Sequence, residues 1–186
     1  ITKFRMEQIG KDFAGAETET ALKNVTLVFE GVKDEAAGTD TRGYKLVWSS
    51  RKSGETFYEA YTVTKNGQPW SGGSTESNPG RKVDIYGLPE GTYQISDETV
   101  VPDGYYPIAQ NSNIQFVLKT NADNSQDLSV TANVSDKDSS DGLPELEVYN
   151  FKTTLKINKQ GKTISADGVV TDNSSNIEIP DGWKFS

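Results

Sequence analysis

The sequence contains neither cysteine nor histidine. Without these residues, zinc sites of the usual kind, cysteine nucleophiles and Ser–His catalytic systems are excluded. Disulfide bonds are excluded as well, so a secreted domain of this sequence must be stabilised by its core or by another covalent bond. We therefore expect no metal and no cofactor.

Apolar and basic residues are also scarce. Hydrophobic residues make up 33% of the chain, and no apolar run is long enough to span a bilayer. The net charge is −8 without a basic cluster, which argues against nucleic acid, anionic membranes and membrane insertion. The chain starts at Ile1 without an initiator Met or a signal peptide, which suggests a piece of a longer soluble or secreted product.

The chain does contain many short segments in which apolar and polar residues alternate, the pattern of half-buried β-strands. Helical periodicity is weak, and residues 13–22 are the one modest candidate for a helix. The sequence predicts an all-β sandwich or barrel. The chain begins with a short β pattern within residues 1–16, and the further predicted strands are residues 24–32, 44–48, 57–64, 83–86, 92–97, 114–118, 128–134 and 146–151.

Two polar, glycine-containing segments, 33–43 and 71–80, are predicted to be loops. The strand pattern supports one domain over residues 1–152. Residues 153–186 are too few to bury a core of their own. We expect them to be either the start of a following module or extra strands on the first domain.

Three of the predicted strands place a polar residue in line with apolar ones. Asp97 follows Tyr93 and Ile95 on one face, and Asn150 follows Leu146 and Val148. Near the start of the chain, Lys3 shares a face with Ile1. A buried polar group costs several kcal/mol if it has no partner, so an acid, an amide and a lysine that point into one core could satisfy one another.

The segments that carry these residues resemble the collagen-adhesin B-type (CNA-B-like) domains of Gram-positive pilins and surface adhesins. GLPEGTYQISDETVVPDGYY at 87–106 is similar to the LPxGxY and PxGY motifs of that family. GKDFAGAE at 10–17 is similar to the GKxLAGA segment, and EVYNFK at 147–152 resembles the closing strand, which ends in Asn. The resemblance covers residues 1–152.

The resemblance implies an Ig-like or prealbumin-like β-sandwich of the CNA-B type with long loops. It also implies an autocatalytic isopeptide bond between a first-strand Lys and the last-strand Asn, promoted by a buried acid. In a dry core the amine is pushed towards its neutral form, and the protonated acid can polarise the amide and pass on the proton as ammonia leaves. The reaction occurs once per molecule, so we do not expect an enzyme.

By the resemblance, Asn150 matches the acceptor amide and Asp97 the acid. Glu98 is the alternative acid, since a β-bulge could turn it inward instead. Lys3 matches the lysine by alternation, with Lys33 and Lys23 as rivals. In the simpler alternative, Asp97 caps the end of its strand and Asn150 is a turn residue at a domain junction.

The resemblance implies a structural module of a Gram-positive cell-surface protein, either a pilin subunit or an adhesin stalk. Its partners would be neighbouring modules or pilin subunits, and its location extracellular and attached to the cell wall. The alternative is a ligand-binding adhesin domain that recognises a host matrix protein or a glycan through loops such as 33–43 and 71–80.

Overall fold

The chain was analysed as a computed structural model. The structure describes residues 3–12, 14–19, 22–74, 79–108, 114–120, 126–130, 134–138, 143–153, 157–164, 166–167 and 170–177. Within these ranges the chain contains β-strands and no helix, which confirms the all-β prediction. The strands are β1 (Lys3–Lys11), β2 (Glu17–Glu19), β3 (Val25–Gly31), β4 (Lys33–Asp34), β5 (Thr39–Asp40), β6 (Tyr44–Ser53), β7 (Thr56–Lys65), β8 (Gln68–Ser74), β9 (Ile85–Tyr86), β10 (Gly91–Val100), β11 (Gln115–Thr120), β12 (Gln126–Val130), β13 (Val134–Asp138), β14 (Pro144–Phe151), β15 (Ile157–Ile164) and β16 (Val170–Ile177).

The chain divides into two compact units, Ile1–Lys152 and Thr153–Ser186. In the first unit, a large sheet has the order β12-β11-β10-β3-β6-β7-β8, and a smaller one has the order β13-β14-β1-β2 with β9 also paired to β1. The second unit contains the antiparallel pair β15-β16, which is joined over eight residue pairs.

The two sheets of the first unit share one apolar core, as in a β-sandwich. Phe4 of β1 contacts Phe116 of β11 across the core, with ring centroids 5.5 Å apart. Phe116 also packs against Phe29 and Tyr93, at 5.1 and 5.3 Å. Each buried aromatic side chain stabilises the fold by roughly 1.5–3 kcal/mol, so this cluster accounts for much of the attraction between the sheets.

The first and last strands of this unit, β1 and β14, lie side by side and parallel. Their register runs from Arg5↔Glu145 to Lys11↔Phe151 over seven residue pairs. Parallel neighbours require a crossover connection, and here the connection is almost the whole unit. The inward rows of the pair are Phe4, Met6 and Gln8 on β1 and Leu146, Val148 and Asn150 on β14, all buried.

Three local predictions are wrong. The helix candidate at 13–22 contains the strand β2, which pairs with β1. The loop predicted at 71–80 begins as the end of β8, and residues 75–78 lie outside the described part. The strand predicted at 128–134 is two strands, because β12 pairs with β11 in the large sheet whereas β13 pairs with β14 in the small one.

The predicted loop 33–43 carries the short hairpin β4-β5 and is fastened to β10. The hydroxyl of Thr41 donates to the carbonyl of Thr92 at 2.6 Å, and the hydroxyl of Thr92 donates to the carboxylate of Asp34 at 2.8 Å. A Cβ added at Gly31 would lie 1.9 Å from the Thr41 carbonyl oxygen, so only glycine fits there. These contacts hold the loop on the sheet.

Candidate functional site

The inward acid of β10 is Glu98, and the prediction that Asp97 points into the core is wrong. The pairing of β10 with β3 shifts register between Ile95 and Asp97 and again between Glu98 and Val100. At such a bulge two residues face one on the partner strand, which reverses the alternation beyond it. Asp97 is therefore exposed, whereas Glu98 is only 6% exposed.

Both carboxyl oxygens of Glu98 accept hydrogen bonds. One accepts from the backbone N–H of Ile108 at 2.6 Å, and the other accepts from the side-chain amide of Asn150 at 2.8 Å. Burial raises the pKa of Glu98, and these two hydrogen bonds oppose the increase because they favour the charged form. The acid is thus held by neutral donors from two different parts of the chain.

Asn150 is 1% exposed and lies at the centre of the cluster. Its amide nitrogen donates to Glu98 and also to the carbonyl of Tyr106 at 2.9 Å. Its carbonyl oxygen accepts from the side-chain amide of Gln8. Both of its N–H groups and its oxygen are therefore satisfied, as a buried amide requires. The alternative interpretation of Asn150 as a turn residue at a domain junction is wrong, because Asn150 is a buried residue within β14.

We call Gln8, Glu98 and Asn150 the buried polar cluster. Gln8 is 1% exposed and follows Phe4 and Met6 on the inward row of β1. Its position relative to Asn150 follows from the parallel register, in which Gly10 is the residue opposite Asn150. Its second polar atom, Oε1, has no hydrogen-bond partner in the described part of the chain.

Among the described contacts, the structure brings none of the three candidate lysines to Asn150. Lys3 lies seven residues before Gly10 on β1, roughly 23 Å along a strand, which is too far for a four-carbon side chain. The ammonium of Lys23 lies 3.7 Å above the ring of Phe57. Lys33 forms an ion pair with Glu35. The β1 side chain that bonds the Asn150 oxygen is that of Gln8.

The chemistry available to this cluster is hydrogen bonding. A carboxamide nitrogen is not a nucleophile, because its lone pair is delocalised into the carbonyl group. Gln8 donates to the Asn150 oxygen, and Glu98 accepts from the Asn150 nitrogen. The arrangement is a chain of hydrogen bonds that runs from the first strand through Asn150 of the last strand to β10.

Sequence reasoning missed Gln8, although a signal was present. The row Phe4, Met6, Gln8 has the same form as Leu146, Val148, Asn150, with two apolar residues followed by a polar one. The alternation of Ile1 and Lys3 predicts that the opposite face of β1 is inward, which the burial of Phe4, Met6 and Gln8 contradicts.

A second buried acid, Glu59, was not predicted. It precedes Tyr61 and Val63 on the inward face of β7 and is 2% exposed. Its carboxylate accepts from the backbone N–H of Val83 at 3.0 Å. Burial raises the pKa of Glu59 to about 7, against the hydrogen bond from Val83 and the positive charges of Lys23 and Lys82.

An ion-pair group lies on the strand pair β1-β14 close to this second acid. Lys82 bonds Glu145 of β14 at 2.6 Å and Glu7 of β1 at 3.3 Å. Arg5 of β1 bonds Asp84 at 2.7 Å. These contacts attach the segment 82–84 to both strands. No group of three or more acidic side chains in the described ranges is placed to hold a metal ion.

Comparison of the chain with models of protein families, with curated proteins and with solved structures finds no match. A search for membrane spans finds no sufficiently long and apolar helix in the described residues.

Proposed function

We propose that residues 1–152 are a load-bearing structural module of a Gram-positive cell-surface protein, of the CNA-B type, in a pilin subunit or an adhesin stalk. The resemblance of residues 87–106 to CNA-B-like domains supports this type of module and its location on the cell surface. In this module the buried polar cluster would join the first and last strands by hydrogen bonds, where the family resemblance implies a covalent bond. Its partners would be neighbouring modules or subunits.

The observation that carries the mechanical part of the proposal is the parallel pairing of β1 and β14. Force applied to the two ends of the unit pulls the start of β1 and the end of β14 in opposite directions along the strands. All the hydrogen bonds of the seven residue pairs then bear load together. In an antiparallel hairpin pulled from its open end, the bonds would break one after another.

The cluster reinforces this pair at the end where β14 leaves the unit. Gln8 and Asn150 link β1 to β14, and the bond from Asn150 to Glu98 links β14 to β10 in the opposite sheet. Sliding of β1 along β14 would separate Gln8 from Asn150 and leave buried polar atoms without partners. Each such atom costs about 1–3 kcal/mol, so the cluster opposes the first step of forced unfolding.

Single-molecule pulling tests the proposal, and the absence of native cysteine allows engineered cysteines to define the points of attachment. In the full chain, Lys3→Cys with Thr153→Cys loads β1 and β14 in shear. The matched control, Lys45→Cys with Thr64→Cys, pulls the facing pair of the β6-β7 hairpin apart. We expect a higher unfolding force for the first pair, and equal or lower force would contradict a load-bearing role.

The length released in the same experiment tests whether the tie is non-covalent. Complete unfolding between residues 3 and 153 releases about 500 Å of extended chain. A covalent bond at Asn150 to the first strand would hold most of that length back. We expect the full length and an intact mass equal to that of the sequence. A mass lower by one ammonia would contradict the non-covalent tie but leave the load-bearing role intact.

A further inference from the structure

A groove of about 480 Å³ lies on the first unit, and its lining does not include Gln8, Glu98 or Asn150. Its apolar lining includes Leu22, Phe57, Val100 and Pro102. Concave sites of this size that combine apolar surface with a few polar groups are the usual form of small-ligand sites, and here the lining is polar and apolar in about equal parts. Neither the load-bearing role nor the cluster explains it.

Lys23 is part of the lining of this groove, and its ammonium has no ion-pair partner among the described residues. It is half-buried and 3.7 Å above the ring of Phe57. Among the described residues, no carboxylate oxygen lies within salt-bridge distance, 4.0 Å, of the Lys23 nitrogen. Burial lowers the pKa of Lys23, and Glu59 and Glu7 oppose that shift from a longer distance. A partly desolvated cation with unused N–H donors favours an anionic ligand.

The other charges of the groove limit how negative that ligand can be. The lining also contains Lys52 and Glu55, which form an ion pair at 3.8 Å, and the exposed Asp103. The two lysines and two acids of the described lining sum to zero charge. One negative charge can be placed on Lys23, whereas a second would approach Glu55 or Asp103.

We propose that this groove binds an apolar monocarboxylate, with the carboxylate on the Lys23 ammonium and the apolar part against Leu22, Val100 and Pro102. Such a ligand is either a small organic acid or the C-terminus of a peptide that ends in an apolar residue. The two share the chemistry that the groove recognises.

Nuclear magnetic resonance titration of the full chain tests the proposal with 3-phenylpropionate. We expect backbone amide shifts confined to residues 22–24, 55–57 and 100–105, with a dissociation constant on the order of 1 mM for a ligand of this size. The neutral 3-phenylpropanamide should bind at least about tenfold more weakly, since a hydrogen bond to a charged group is lost. Benzylmalonate, with a second carboxylate, should also bind more weakly.

Two variants make the test specific. Lys23→Met keeps the apolar stem and should abolish the preference for the acid over the amide, and Lys23→Arg should retain it. Lys65→Met is the matched control, because Lys65 also lies over an aromatic ring, that of Tyr44 at 3.9 Å, on another surface. It should leave binding unchanged.

The same titration with acetyl-Ala-Ala-Phe and with its C-terminal amide distinguishes the sources. Tighter binding of the peptide acid than of 3-phenylpropionate indicates a chain terminus, and the reverse indicates a small acid. The proposal is overturned if neither acid changes the amide shifts of the groove residues at millimolar concentration, or if acid and amide bind equally. It is also overturned if Lys65→Met has the same effect on binding as Lys23→Met. These outcomes do not bear on the load-bearing role.

Discussion

Glu98 and Glu59 are two buried carboxyl groups in similar positions but with different surroundings. Each stands in an inward row of the large sheet, and each accepts a backbone N–H, from Ile108 and from Val83 respectively. The side chain that bonds Glu98 is the neutral amide of Asn150. The charges that act on Glu59 are those of Lys23 and Lys82.

The difference shows that burial of an acid has two separate consequences. At Glu98 both oxygens are needed as acceptors, so the geometry of the carboxyl group matters most. At Glu59 the charge matters most, because burial outweighs the two lysines and raises the pKa to about 7. Four substitutions test this distinction, beginning with the largest expected effect.

Asn150→Ala should reduce the free energy of unfolding by about 4 kcal/mol. It removes hydrogen bonds to Glu98, Tyr106 and Gln8, leaves buried polar atoms unsatisfied and creates a small cavity. Urea unfolding measures the loss. Gln94→Ala is the control. It removes a half-buried amide pair between Gln94 and Gln115 in the large sheet and should cost less than about 1 kcal/mol. Similar losses for the two variants would show that the cluster has no special role.

Glu59→Gln should change how stability depends on pH. The folded-state pKa of Glu59 is raised from 4.5 to about 7. Its contribution is therefore fully present below about pH 4.5 and is lost as pH rises through 7, by about 3 kcal/mol in total. The variant should lack this loss and be more stable than the parent at pH 8. Unfolding by urea at pH 4.5, 6 and 8 measures the free energy of unfolding of both proteins. If this free energy changes with pH equally in the variant and the parent, Glu59 is not the source of the pH dependence.

Glu98→Gln should have the opposite sign at pH 8 and reduce the free energy of unfolding by about 2 kcal/mol. A glutamine retains one acceptor oxygen, and its NH₂ group would face the N–H of either Asn150 or Ile108. The pKa of Glu98 is raised, as is that of Glu59, so Glu98 also lowers the free energy of unfolding as the pH rises. The variant therefore also removes a part of the pH dependence of stability. If Glu98→Gln instead stabilised the protein at pH 8, the charge of Glu98 would matter more than its hydrogen bonds, as at Glu59.

The smallest effect is a change of mass. Gln8→Lys places an amine beside Asn150 and Glu98, and attack of the amine on the Asn150 side-chain carbon would form a new amide and release ammonia. Burial favours the neutral amine, and Glu98 can accept and return the proton. We expect a fraction of the protein to be one ammonia lighter by intact-mass measurement. The double variant Gln8→Lys with Glu98→Gln should keep its full mass.

Local patterns predicted much of this fold but less of its buried polar cluster. Alternation located most strands of the first unit and placed Asn150 on an inward row. It failed at Asp97 because the bulge depends on how β10 aligns with β3. It failed at β1 because the choice between the two faces depends on pairing with β14, which lies far away in the sequence.

The amino-acid sequence by itself determined the all-β class, through the alternation of apolar and polar residues, and the excluded chemistry, through the lack of cysteine and histidine. Asn66 and Gly67 show how local chemistry fixes a turn, since both adopt positive φ angles, 49° and 76°. The tertiary structure decided which polar side chains meet. Strand periodicity limits a residue to one of two faces, but pairing over more than a hundred residues brings Gln8 and Asn150 together. A bulge in β10, between these two residues in the sequence, brings Glu98 to Asn150.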